Sequence, residues 1–339
     1  MKVVLVHFGR KLPKHLILNI KRIRLLFPHL DILLITNQSC KLPKSLLLNI
    51  FLYNPGKTWK EIEEKLSHDK NFRENFWFTS LVRLIAIDAY MSAINDEVIH
   101  IESDVLISSD FPFEKFKHLP RNIAYPIISQ KSAIASILYL RDSKASRVLA
   151  EKIISSVREN SYATDMQILA DLYFENPDLV QPLAIGPQYS KEIYNSYDHS
   201  ILFAEMDLSR SVLCGIIDGS DIGQYLFGQD PRNLWGKRAL RQENKNHFLK
   251  PRSLDFSYSN KRQFLNLTSQ FKVFPIFAVH IHSKNTNLFR YERLEKVLKN
   301  AVSNAKMPSS FEFLPGIYLN IAYYAVVRRI KKILKINLN

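Results

Sequence analysis

Val98-Ile99-His100-Ile101-Glu102-Ser103-Asp104-Val105-Leu106-Ile107 is the stretch on which the reading of this chain turns. An apolar run of strand length leads straight into two carboxylates one residue apart and then resumes as apolar sequence. An unpaired buried carboxylate is costly, so a buried strand that ends in two acids implies a counter-charge. On extended backbone, residues i and i+2 point to the same side, so Glu102 and Asp104 could share one hard divalent cation. The competing reading is a solvated acidic loop after a strand, and acid-x-acid triplets are common. The position directly behind an apolar strand favours the metal.

Upstream, residues 2–8 read as a buried strand. Residues 13–27 read as a helix with Leu16, Ile20, Ile23 and Phe27 on one face, and residues 31–36 as a second apolar strand. Strand, helix and strand with short links form a βαβ unit, which requires a parallel sheet. Helices are predicted over 58–69 and 74–92 and a strand over 97–101. Further strands are predicted over 122–128 and 134–141, and helices over 144–159 and 164–174, with Thr164 as N-cap of the latter. Residues 211–217 look strand-like, 256–267 suggest a hairpin, 272–282 a strand and 287–303 a helix. The class is α/β, and ligands of such sheets bind at the carboxyl ends of the strands.

The chain has 339 residues with 46% hydrophobic and 23% charged content, enough to bury a core without disulfide or metal staples. Its two cysteines, Cys40 and Cys214, lie in apolar sequence and read as reduced, buried thiols of a cytoplasmic protein. Nothing at the N-terminus reads as a signal peptide, and no apolar stretch looks long enough to span a bilayer. The acceptor-type triplets at Asn37 and Asn266 are then without meaning. The net charge of +15 favours an anionic partner: nucleic acid, an acidic membrane surface or a phosphorylated substrate.

Four further groups of residues carry chemistry. His280-Ile281-His282-Ser283-Lys284 ends a predicted strand. Either histidine could complete a metal shell begun by Asp104, and Lys284 could hold a diphosphate as a point charge; strand histidines of this kind are also often simply packed. The run Asp218 to Asn233, DGSDIGQYLFGQDPRN, holds three of the chain's nine glycines. There Gly223 permits close backbone approach, and Asp218, Asp221, Gln224 and Asp230 could bond sugar hydroxyls. Turn chemistry with an Asp N-cap is the alternative for Asp221. Thr79 to Arg83 lies on a mostly apolar helix, where Arg83 must find an anion, either donor phosphate or a buried acid such as Asp88. Asp165, at a helix start, is either a capping partner or an acceptor-side carboxylate.

In this order VVLVHFGRKLPKHL, FWFTSLVRL, VIHIESDVLI, DGSDIGQYLFGQDPRN and HIHSK span roughly residues 1–290, and together they resemble a metal-dependent GT-A glycosyltransferase. The closer likeness is to bacterial enzymes of surface-polysaccharide and lipopolysaccharide clusters. The resemblance implies a mixed, mostly parallel Rossmann-like sheet flanked by helices. It places a transferase unit at 1–305, with a donor half of about 1–130 and an acceptor half of about 131–305, before a basic tail at 306–339. It implies a nucleotide-diphosphate sugar donor, Mn2+ or Mg2+, and a carbohydrate or lipid-linked acceptor. Asp104, Glu102 and His282 (His280 as alternate) match the metal ligands. Arg83, Thr79, Ser103, Lys284, Gly223 and Gln224 would face the donor, and Asp218 and Asp165 would serve catalysis. The usual motif is Asp-x-Asp, so Glu102 adds a methylene to its first acid.

Two rivals stand beside this reading. A sugar-phosphate nucleotidyltransferase would show a glycine-rich N-terminal loop, whereas residues 7–15 have only Gly9. A non-enzymatic basic binder would account for the charge, but no helix-turn-helix, zinc or RNP signature is present, and nucleic acid is not expected. Homo-oligomer formation is left open. Within 317–336, Val326, Val327, Ile330, Ile333 and Leu334 share a helical face beside Arg328, Arg329, Lys331, Lys332 and Lys335. That pattern suits a helix lying on the anionic inner face of the cytoplasmic membrane, or one docked on the protein's own core.

Overall fold

A computed structural model of the chain describes residues 1–9, 11–38, 46, 48–70, 72, 75–189, 199–230, 243–270, 272–283 and 286–306. In chain order the elements are β1 (Lys2–Val6), α1 (Lys14–Leu26), β2 (Ile32–Thr36), β3 (Asn49–Leu52), α2 (Lys57–Lys65), α3 (Phe76–Ile94), β4 (Val98–Ile101), β5 (Val105–Ile107), β6 (Ile123–Ser129), β7 (Ser132–Ala133) and β8 (Ile137–Leu140). Then come α4 (Ser143–Glu159), α5 (Asp165–Glu175), β9 (Val180–Leu183), α6 (Ser200–Leu213), β10 (Ile216–Ile217), α7 (Asp221–Phe227), β11 (Asp255–Ser259), β12 (Phe264–Ser269), β13 (Lys272–His280) and α8 (Tyr291–Ala305).

The fold is mixed α/β, with a largely parallel central sheet flanked by helices. Its strand order is β3-β2-β1-β4-β8-β6-β7, with β9 beside β6. β1 pairs in parallel with both β2 and β4, and β2 with β3. The predicted βαβ opening is present. Alternation along β1 sends Val4 to the α3 side of the sheet and Val3 and Leu5 to the α1 side, so each face has its own core. A smaller sheet runs β10-β13-β12-β11, with β5 antiparallel to β13.

Local chemistry sets several boundaries. Thr164 caps α5 by accepting from the Gln167 amide at 3.2 Å, and Asp142 caps α4 by accepting from Ala145 at 2.8 Å. α3 starts and ends on left-handed asparagines, Asn75 and Asn95. The expected hairpin forms from β11 and β12.

Three expectations are corrected. Residues 211–213 end α6, and only Ile216–Ile217 is strand, because the apolar run turns at the left-handed Cys214. Cys214 is exposed, with the Lys115 ammonium 3.0 Å from its sulfur; Cys40 lies outside the described residues. By length and composition α3 is long and apolar enough to cross a bilayer, contrary to the reading above. Most of that helix is instead buried against the sheet and its neighbouring helices, which accounts for its apolar sequence. The tail from residue 307 onward lies outside the described residues.

Candidate metal centre

The acidic pair does not sit on extended backbone. Glu102, Ser103 and Asp104 form a turn between β4 and β5, closed by the Val105 amide donating to the Glu102 carbonyl at 3.1 Å. β4 belongs to the large sheet and β5 to the small one, so the acids stand where the chain crosses between sheets. α1 fixes that crossing: Asn19 donates to the carbonyls of Ser103 (3.3 Å) and Val105 (2.8 Å), and Arg22 to that of Ile107.

β13 supplies the third member. His280 is opposite Val105 in the antiparallel β5–β13 register, and the Ile281 amide donates to the Asp104 carbonyl at 2.7 Å. His280 Nε2 lies 3.4 Å from both Glu102 Oε2 and Asp104 Oδ1. One ligand atom from each of the three falls within 4.8 Å of the other two. For metal–ligand bonds near 2.1 Å, neighbouring octahedral ligands are about 3 Å apart, so the cluster is close to coordination spacing. Two carboxylates and an imidazole suit manganese-type cations among those that accept oxygen and nitrogen donors. The buried Nδ1 of His280 has no hydrogen-bond partner among the described residues.

The electrostatics bind the group together. Burial by itself would push His280 down, but the Asp104 and Glu102 carboxylates hold it above its ordinary value. Burial would raise Glu102, and Arg83 with His280 overcomes this and lowers it. Arg83 is raised despite its burial because Glu102 and Asp165 surround it. Asp165 is raised, chiefly by burial, with Arg83 opposing. Beneath the site, buried His100 donates from Nδ1 to the Val4 carbonyl at 3.0 Å; burial and Arg83 push it down to about 4, so it is neutral.

The other predicted site residues fall into different places. His282 is not the third member of the cluster: β13 ends at His280, and the His282 ring lies against that of His280, with centroids 3.9 Å apart. Arg83 is not free for phosphate, because its two terminal nitrogens are bonded to Glu102 and to Asp165, the latter at 2.9 Å. Thr79 donates to its own helix at the Phe76 carbonyl, and the Ser103 hydroxyl lies 3.2 Å from His15 Nε2. Lys284 and residues 231–233 lie outside the described residues.

Asp218 is also corrected. Its side chain is an anchor rather than a sugar contact: it is 1% exposed and accepts amides from Ser220, Ile222, Gly223 and His280 at 2.8, 3.0, 2.8 and 3.1 Å. Burial pushes its carboxyl up to about 6, with those amides pulling the other way. Gly223 is required by packing, since a Cβ there would stand 1.9 Å from the His280 carbonyl oxygen. One residue further on, Gln224 Nε2 reaches 3.4 Å from His282 Nε2. Asp230 is buried.

The sequence reading missed His247. Its Nδ1 is 2.7 Å from Asp221 Oδ1 and carries the proton, because a carboxylate only accepts. Asp221 and Gln224 are three residues apart on α7 and share a face, so this pair stands beside the histidine end of the site. No motif spacing links residues 221 and 247, so the sequence carried no signal for it.

No protein-family model matches the chain, and no curated protein matches it. Among solved structures it is similar to glycosyltransferases. The galactosyltransferase LgtC, in complex with donor and acceptor sugar analogues, is 15% identical over 51% of this chain and 70% of that one, with a TM-score of 0.39. Mouse xyloside xylosyltransferase 1, in its apo form, is 11% identical over 60% and 92%, with a TM-score of 0.38. The glycosyltransferase PaToxG is 12% identical over 63% and 78%, with a TM-score of 0.35.

Proposed function

We propose that residues 1–305 form a glycosyltransferase that takes a sugar from a nucleotide-diphosphate donor, with Mn2+ or Mg2+ held by Glu102, Asp104 and His280. The observation that carries this reading is the meeting of those three side chains at a sheet crossing, from opposite halves of the chain. A divalent cation there would neutralise a departing diphosphate as a Lewis acid. Arg83 would act as a positioning residue, fixing Glu102 against Asp165. The acceptor in this reading is a carbohydrate or lipid-linked saccharide of bacterial surface-polysaccharide synthesis. The basic tail would bring the enzyme to the inner face of the cytoplasmic membrane. A second copy of the chain is compatible with it.

The test is a thermal-shift screen of nucleotide-sugars with and without Mn2+, followed by donor hydrolysis on any hit. A ligand that binds only the folded state raises its stability by mass action. The expected result is a shift that needs both nucleotide-sugar and cation and disappears in Asp104→Asn. Shifts independent of the cation, or unchanged in that variant, would overturn the metal-site reading. Co-sedimentation with anionic vesicles tests the tail: binding should fall with salt and be lost on truncation after Pro308. Equal sedimentation of full-length and truncated protein would remove the membrane role.

A further inference from the structure

About one turn along α1 from the residue that holds the acidic turn lies a cavity of about 170 Å3 with no part in the proposed transfer. Arg22, Ser109, Tyr258, Arg262, Tyr291 and Glu292 line it, bringing together α1, the segment after β5, the β11–β12 hairpin and the first turn of α8. A cavity of about 150 Å3 can take up a ring the size of benzene, so this one admits a small molecule.

Arg22 is the unusual member. It is 4% exposed, and its described partners are the Ile107 carbonyl and the Phe264 ring, 5.9 Å away. Among the described residues no carboxylate lies within ion-pair distance of it, and its Nε has no acceptor. Burial pushes its guanidinium down to about 10, which still leaves it charged at neutral pH. Buried arginines without a counter-ion are rare, because taking a charge out of water costs several kcal/mol.

The other charges around the cavity are largely matched. Arg262 is paired with Asp110 at 2.5 and 2.9 Å. Glu295 is paired with Lys299 at 2.6 Å. Glu292 is exposed and makes no ion pair among the described residues. The buried Tyr258 hydroxyl has no partner there either. α8 begins without a side-chain cap where its first turn lines the cavity; the Arg293 amide donates to the Arg290 carbonyl at 3.1 Å, and the amides of Tyr291 and Glu292 precede the first intrahelical bonds. A helix start of this kind favours anions.

We propose that this cavity is a binding site for a small oxyanion, a phosphate or a carboxylate, held by Arg22, the Tyr258 hydroxyl and the first turn of α8. The inference does not depend on the transferase reading. Of the two carboxylates that line the cavity, Glu295 is paired with Lys299, while Glu292 makes no ion pair among the described residues.

The experiment is calorimetric titration of the full chain with inorganic phosphate, and in a parallel arm with acetate, both in EDTA. EDTA removes any anion held through a cation at Glu102, Asp104 and His280. Saturable binding of at least one anion is expected, and the two arms tell phosphate from carboxylate. Arg22→Gln should weaken binding at least tenfold. Glu292→Gln, on an exposed side chain, should tighten it severalfold by removing a negative charge from the cavity lining, and this variant decides the matter if Arg22→Gln does not fold. The proposal fails if neither wild type nor Glu292→Gln binds either anion, or if Arg22→Gln binds as wild type does. It also fails if Glu292→Gln lowers the melting temperature without tightening binding, since Glu292 would then be Arg22's own counter-ion.

Discussion

Asp104 and Asp218 both stand at strand ends beside His280, yet the fold leaves them in opposite conditions. Asp104 is grouped with a second carboxylate, Glu102, and with the His280 imidazole 3.4 Å from it, an arrangement that could hold a cation. Asp218 has both oxygens taken by four backbone amides and holds the start of α7 against the end of β13. A carboxylate whose oxygens are both taken by backbone amides becomes an anchor, whatever motif surrounds it.

The comparison breaks most visibly at Asp104. Asp104→Asn keeps the shape and removes the charge that holds the cation. Metal-dependent stabilisation of a leaving group is worth several kcal/mol, so turnover should fall on the order of 1,000-fold while the melting temperature stays close to wild type. Retained activity in that variant would place the cation elsewhere. Asp218→Ala should behave the other way round. Four buried amides lose their acceptor, and stability should fall by about 3 kcal/mol or more, measured by urea denaturation. If Asp218→Ala kept wild-type stability but lost turnover, Asp218 would be a substrate contact after all.

His280 offers a subtler test through pH. Its folded value is raised above that of the unfolded chain, so in cation-free protein its charged form stabilises the fold below the unfolded value of about 6.5. That contribution is lost as pH rises through the folded value. A cation needs the neutral ring, so cation affinity should drop about tenfold per unit as pH falls below the folded value, with one proton released on binding. Calorimetry in buffers of different ionisation heat reads that proton; none released would take His280 out of the shell. The smallest effect is expected for His282→Ala, whose ring packs on that of His280. Cation affinity should change by less than about threefold, under 1 kcal/mol, and a loss as large as that of His280→Ala would restore His282 as a ligand.

The opening of the fold was legible because its rules are local. Val3, Val4 and Leu5 are buried on two faces as a strand in a parallel sheet requires, and α1 buries Leu16, Ile20 and Ile23 at helical spacing. Thr164 capped α5 as its residue type predicts. β5 was not legible as a separate strand, because Val105-Leu106-Ile107 looks like a continuation of β4 until its pairing with β13 is known. α3 misled in another way: a helix buried in a core and one buried in lipid carry the same apolar sequence.

The sequence by itself determined that apolar elements alternate as α/β, that two acids follow a strand and that another strand ends in a pair of histidines. Periodicity and residue chemistry act over a few neighbours, so they can be read along the chain. Only the tertiary structure decided that Arg83 answers Glu102 and Asp165, that His280 rather than His282 meets the acids, that Asp218 is consumed by backbone and that His247 is held by Asp221. Each of those is a pairing between segments far apart in sequence. Which polar group satisfies which is fixed by how the two sheets and their helices pack, and the spacing of residues along the chain contains no record of it.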